Sequence, residues 1–211
     1  IDSMKLTEMK VLDYLELLKS DAPAPGGGSV SALTGAQGLS LLLMVADLTL
    51  TREKYQEDHP LCLQVKEAGL PLFHAMTDAV DRDTQAYNKV SAAYKMSKET
   101  EEQKTIRSKA IGEANLLATQ IPFEVMTLAV QGLKLVEQLV GHSNPNAASD
   151  LGVAATCLET AAKGAWLNVS INLPGVKDPD MAKHFEEEGK HLYNESNQLA
   201  NRVVDAARES L

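Results

Sequence analysis

The stretch that most constrains this chain runs from Ala22 to Thr51 and reads APAPGGGSVSALTGAQGLSLLLMVADLTLT. Pro23, Pro25 and three consecutive glycines, Gly26, Gly27 and Gly28, forbid regular structure, and Ser29 stands where a helix cap is expected. Behind them, Val30 to Leu50 carries only small and scattered polar residues (Ser31, Thr34, Gln37, Ser40, Asp47, Thr49). A helix that is apolar nearly all round is one surrounded by others. The pattern therefore predicts a central helix of a bundle, entered through a loop of bare backbone. The first amides of a helix lack internal partners and carry partial positive charge, so such a loop is suited to an anion or a polar ring edge. It is equally the composition of a tight turn. It is not a nucleotide signature, because no Gly-Lys-Ser/Thr follows and Ser31 replaces the last glycine of a GxGxxG.

The remaining elements read as helices in order. Leu6, Met9, Leu12, Leu15 and Leu18 make an apolar edge over 5–19. His59-Pro60 opens a long helix to about Lys95, bent or broken at Gly69-Leu70-Pro71, with Phe73, Met76, Val80, Asp83, Tyr87, Val90 and Tyr94 in one stripe. Ile106 to Val140 continues in helical spacing, with a kink expected at Pro122. Ser149 or Asp150 is expected to cap a small-residue helix over 151–172, and the last helix follows Asp178-Pro179. No segment alternates as a strand would. The fold class is all-α, a multi-helix bundle in a single domain over 4–211, with Ile1, Asp2 and Ser3 set apart.

Charge and composition exclude several functions. A net charge of −9 leaves no basic face for nucleic acid. The longest apolar run, Leu41 to Ala46, is short for a bilayer span, and no leader precedes the first helix, so neither membrane nor export is expected. Cys62 and Cys157 have no CxxC spacing and read as reduced thiols in a cytoplasmic protein.

Asp83 is the sharpest chemical signal, an acid within an apolar stripe. Burial would raise its pKa and a cation would lower it, and both tune a proton-transfer group; the alternative is an acid that bonds a neighbouring helix terminus. Tyr87 shares its face, and Asp81 does not. Asn168 and Asn172, one turn apart, offer amides that read a heterocycle edge or, alternatively, cap and cross-link helices. Asn144, Asn146, Ser149 and Asp150 gather at a helix start. His184, Glu188 and His191 have the i, i+4, i+7 spacing of metal ligands, but HFEEEGKH reads better as a solvated face, and no metal is expected.

Together these segments resemble a known family. PAPGGGSVSAL, the D-x-D-x-x-A-Y from Asp81 to Tyr87, Pro122, NPNAASDLGVAA from Asn144 and LNVSINL from Leu167 are similar, in order, to the cyclodeaminase/cyclohydrolase family. That family comprises the C-terminal domain of formiminotransferase-cyclodeaminase and stand-alone methenyltetrahydrofolate cyclohydrolases. The turn Gly141-His142-Ser143-Asn144 departs from its usual Gly-Asn turn. The resemblance implies a helical homodimer acting on a one-carbon unit bridging two nitrogens of tetrahydrofolate, without metal or redox cofactor. With no formiminotransferase domain ahead of it, the expected reaction is the cyclohydrolase, with cyclodeaminase or a non-catalytic folate-binding or scaffold role as alternatives. Asp83 is then expected as the base, Asp150 second, and either acid as a pterin anchor. Gly26 to Ser29, Tyr87, Asn144, Asn146, Ser149, Asn168 and Asn172 would be substrate contacts, and Arg52 or Lys54 would meet the glutamate tail.

Overall fold

A computed structural model describes residues 4–211; Ile1, Asp2 and Ser3 lie outside the described residues. Six α-helices account for most of them: α1 (Val11–Leu18), α2 (Gly27–Leu50), α3 (His59–Tyr94), α4 (Glu101–Leu139), α5 (Ala148–Asn172) and α6 (Pro179–Glu209), with short 3₁₀ turns between some of them and no strand among the described residues. The expected first helix is interrupted. A 3₁₀ turn at Leu6–Glu8 precedes α1, and the two carboxylate oxygens of Asp81 take up the Leu6 N–H at 2.6 Å and the Thr7 hydroxyl at 2.9 Å. Asp81 thus ties the N-terminal turn to α3, on a face apart from Asp83.

Proline shapes α4 without ending it. The expected kink at Pro122 leaves α4 one continuous helix, and α3 likewise runs on through Pro71. Pro122 has no N–H, so the carbonyl four residues earlier, on Ala118, loses its helical donor. Asn172 supplies the missing donor, its Nδ2 reaching Ala118 O at 3.0 Å from α5. The polar stretch before Ile106 is the exposed start of α4, closed by a capping box between Thr100 and Gln103.

The core lies where α2 meets α5, α3 and α4. Ala32, Ala36, Ala46, Ala154, Ala161 and Ala165 are fully or almost fully buried there, and their small side chains let the helix backbones close on one another around Leu39, Leu42 and Leu158. α2 is less enclosed than its composition suggested. Gln37, Ser40, Met44, Asp47 and Leu48 form an exposed stripe along it. Taken as whole helices, α2 and α4 are long and apolar enough to cross a bilayer by length and composition, although the apolar run within α2 is short. In the bundle, 56% of the most apolar window of each is buried, which gives that apolarity a packing role.

Candidate active site

The glycine loop ends in a helix start that its own residues do not cap. Gly26 is the N-cap, with no side chain to offer, and the first intrahelical bond runs from Val30 N to Gly26 O at 3.1 Å. The N–H groups of Gly27, Gly28 and Ser29 therefore lack helical acceptors. Ser29 is not the cap expected from sequence. It is fully buried at the third helical position, and its hydroxyl donates to Val80 O at 2.7 Å while lying 3.0 Å from the Thr84 hydroxyl. These two contacts fix α3 against the start of α2.

That registration sets Asp83 directly on the loop. A methyl group at Gly28 would overlap the Asp83 carboxyl, so the absence of a side chain at this one position is what lets the acid rest on the backbone. The anion at this helix start is thus a side chain of the protein itself. Burial pushes the Asp83 carboxyl up from its ordinary value to about 6, and a hydrogen bond from the Ser29 backbone N–H offsets part of that rise. Near neutral pH such a group is ionised, yet basic enough to accept a proton.

Asn168 completes the near wall. Its Nδ2 donates to Gly164 O at 2.9 Å within α5 and lies 3.7 Å from where a side chain on Gly27 would begin. Nδ2 is thus the atom nearest Gly27, and Oδ1 has no hydrogen bond among the described residues and is free to accept one. The Ser31 hydroxyl, bonded to Gly27 O at 2.7 Å, packs onto Gly164. Neither Ser31, Gly164 nor Thr84 stood out from the sequence. Small residues one helical turn from the motif were the available signal. Tyr87 is on the same helix face but 42% exposed, and no hydrogen bond joins it to Asp83.

The other expected site residues divide. Asn172 is occupied by the Ala118 carbonyl, which makes it a helix cross-link. Asn144, Asn146, Ser149 and Asp150 lie at the opposite end of α5. Eighteen residues separate Asp150 from Asn168, about 27 Å at the helical rise, so within one chain they do not share a site with Asp83. Neither Ser149 nor Asp150 caps α5. Asn144 closes that start, its Oδ1 taking the Asn146 N–H at 3.0 Å ahead of the 3₁₀ turn Pro145–Ala147. Arg52 and Lys54 follow the far end of α2, about 36 Å from Gly27 by its length, beyond reach of a single glutamate tail. His184 packs beside Phe123 with ring centroids 5.7 Å apart, and His191 Nε2 lies 3.4 Å from Glu195. Among the described residues no three His, Cys, Asp or Glu side chains gather closely enough to hold a metal ion.

A strand-free bundle holding a half-buried acid on a glycine-entered helix start defines the class, and comparison with known proteins places it. Residues 10–191 match the family model described as Formiminotransferase-cyclodeaminase, and the chain belongs to that family. It is 32% identical to a methenyltetrahydrofolate cyclohydrolase of Methylorubrum extorquens, over 94% of this chain and 95% of that one. A formimidoyltransferase-cyclodeaminase of Rattus norvegicus is 36% identical over 88% of this chain, which spans only 34% of that longer protein. The crystal structure of a formiminotetrahydrofolate cyclodeaminase from Thermotoga maritima shares the fold, with a TM-score of 0.78 at 23% identity over 98% of both chains.

Proposed function

We propose that this protein is an enzyme hydrolysing 5,10-methenyltetrahydrofolate to 10-formyltetrahydrofolate, with Asp83 as general base. The observation that carries this reading is the Asp83 carboxylate, raised to about 6 and held on the Gly28 backbone. The substrate carries a delocalised positive charge at the carbon between its two nitrogens. A half-buried carboxylate attracts that cation and takes a proton as water adds to the carbon. The bond from that carbon to N5 then breaks, the new hydroxyl oxygen becomes the formyl oxygen, and its proton passes to N5. Asp83 returns its proton to solvent. One water is consumed and one proton released for each cation opened. Asn168 Oδ1 accepts an N–H of the folate, and the Gly26 to Ser29 loop lets the ring approach the backbone.

Ring opening of an activated cation needs charge placement and proton transfer, so we assign the protein no metal or redox cofactor. Its partners in this reading are the folate and a second copy of itself, with no nucleic acid or membrane. The exposed apolar edge of α1, where Val11, Leu12 and Leu15 face outward, and the exposed Met44 and Leu48 of α2 support a homodimer. A mass in solution of twice 22.8 kDa is expected. Both cysteines are free thiols, which supports a reducing, cytoplasmic setting.

The cyclodeaminase reaction is the second reading, favoured by the Rattus relative and the Thermotoga fold match. The Methylorubrum cyclohydrolase, matched over nearly its full length, favours the first. Loss of the methenyl absorbance above the buffer rate, with no ammonia from formiminotetrahydrofolate, is the expected outcome. Ammonia release without that acceleration would reverse the assignment.

A further inference from the structure

At the end of the bundle opposite Asp83, a cavity of about 420 Å³ opens between the last turns of α4 and α6 and the first turn of α5. The proposed reaction makes no use of it. Val140, Leu151, Ala206 and Ala207 give it an apolar lining, and Tyr55, Asp58 and Asn144 bring polar groups to it.

Asn144 is only 9% exposed, and its hydrogen bonds account for every polar group but one. Its N–H donates to Thr49 Oγ1 at 2.9 Å and its carbonyl accepts from Ala147 N at 2.9 Å. Oδ1 accepts from Asn146 N at 3.0 Å and faces the Tyr55 hydroxyl at 3.4 Å. A backbone N–H can only donate, so the atom facing Asn146 is the oxygen and the amide is not interchangeable end for end. Nδ2 is left with no hydrogen bond among the described residues, in a side chain that lines the cavity. Nδ2 is open to the cavity and not sealed off, so it is free to donate to whatever fills the space.

The charge there is negative. Asp58 contributes a carboxylate, and among the described residues His142, with Nδ1 at 3.6 Å, is the one basic side chain within 4 Å of it. The ends of α4 and α6 bring negative helix poles to the cavity and the start of α5 a positive one, so Asp58, the one formally charged side chain in the lining, sets the sign. We propose that this cavity is a second small-molecule site, for an organic cation whose apolar body packs on Val140, Leu151 and Ala207. Its N–H donors meet Asp58 and an acceptor atom meets Asn144 Nδ2. The site is independent of the folate reaction.

The test is a titration of the intact protein with 4-(aminomethyl)benzamide, which joins an ammonium to an aromatic amide, followed by backbone amide NMR. Benzylamine, which lacks the acceptor, and the anionic 4-carboxybenzamide are the controls. Shifts are expected at Gly141, Ala148 and Ala207 and not at Gly28 or Ser29. Binding should weaken about threefold with benzylamine and be lost with the anion. Asp58→Asn should weaken it at least about tenfold. His142→Ala, at a side chain outside the cavity lining, should leave binding within about twofold, which separates loss of the Asp58 charge from general disruption of this end of the bundle. No shifts up to about 10 mM probe, equal binding of the anion, or shifts confined to Gly28 and Ser29 would each overturn the proposal.

Discussion

Two helix starts in this molecule receive their chains through turns of glycine, asparagine and proline, and they are completed in opposite ways. At the start of α5, Asn144 and the 3₁₀ turn that follows satisfy the nearby amides from residues within a few positions of sequence. At the start of α2 the capping residue is glycine, and the acid that meets one of the free amides, that of Ser29, comes from α3, more than fifty residues on. The local solution leaves its acid, Asp150, uncommitted. The distant one places a carboxyl where burial and a single backbone N–H oppose each other. A helix start becomes chemically useful here because its partner is imported, and the import requires a position with no side chain.

The strongest way to break this contrast is Asp83→Asn. Turnover of methenyltetrahydrofolate should fall by about a thousandfold or more if the carboxylate supplies both the base and the countercharge. The wild type should show kcat/KM declining below about pH 6, the value to which Asp83 is raised. Asp150→Asn should leave that decline in place, and its disappearance would mean that the two ends meet, as between two copies. Stability should move the other way. Between about pH 4 and pH 6 the folded chain holds a proton that the unfolded chain has released, so the wild type loses stability as pH rises through this window. Asp83→Asn should remove that loss and be more stable at pH 7 by something on the order of 2 kcal/mol, read from urea unfolding at several pH values.

The next contrast lies within the glycine run. Gly28→Ala places a methyl group in the space of the Asp83 carboxyl, whereas nothing stands within 4 Å of a side chain built on Gly26. Gly28→Ala should cost roughly a hundredfold in kcat/KM, because a displaced base no longer reaches the water. Gly26→Ala should change stability by less than about 1 kcal/mol and leave the pH profile intact. Equal losses at both positions would mean that the loop contacts the substrate and does not seat the acid.

Much of this was legible in the chain. The three-glycine entry, the apolar α2 and the acid in the stripe of α3 are local patterns, and local patterns survive in one dimension. Asp83 stood out because its neighbours at helical spacing are Val80 and Tyr87, where a carboxyl has no packing role. What sequence could not reveal was which group answers which. Ser29 looks like a cap at the start of a helix, and only the approach of α3 turns its hydroxyl to the Val80 carbonyl. Asn168 and Asn172 look alike, one turn apart, until α4 arrives beside the second. Asn144 to Asp150 belongs with the other motifs in sequence, yet helix length alone carries it to the far end. The stripe along α2 stayed hidden for a related reason, since apolar composition does not distinguish a helix covered on all sides from one left open along one edge.

The pair Asn168 and Asn172 gives the finest test of that difference, with the smallest expected effect. Asn172→Ala removes the donor from Ala118 O and should destabilise the fold by about 1–2 kcal/mol while leaving KM for the folate near its wild-type value. The cause of that loss is itself removable. Pro122→Ala restores an N–H four residues beyond Ala118, so in the double variant the helix satisfies its own carbonyl and Asn172 becomes dispensable. Asn172→Ala should then cost less than about 0.5 kcal/mol in the Pro122→Ala background. Asn168→Ala should show the reverse profile, a rise in KM with little change in the unfolding midpoint, because its Nδ2 bonds only the Gly164 carbonyl one turn back on its own helix and no bond between helices is lost. If Asn172→Ala raised KM as much as Asn168→Ala, with the same cost in both Pro122 backgrounds, the two amides would both be substrate contacts and the division between them would fail.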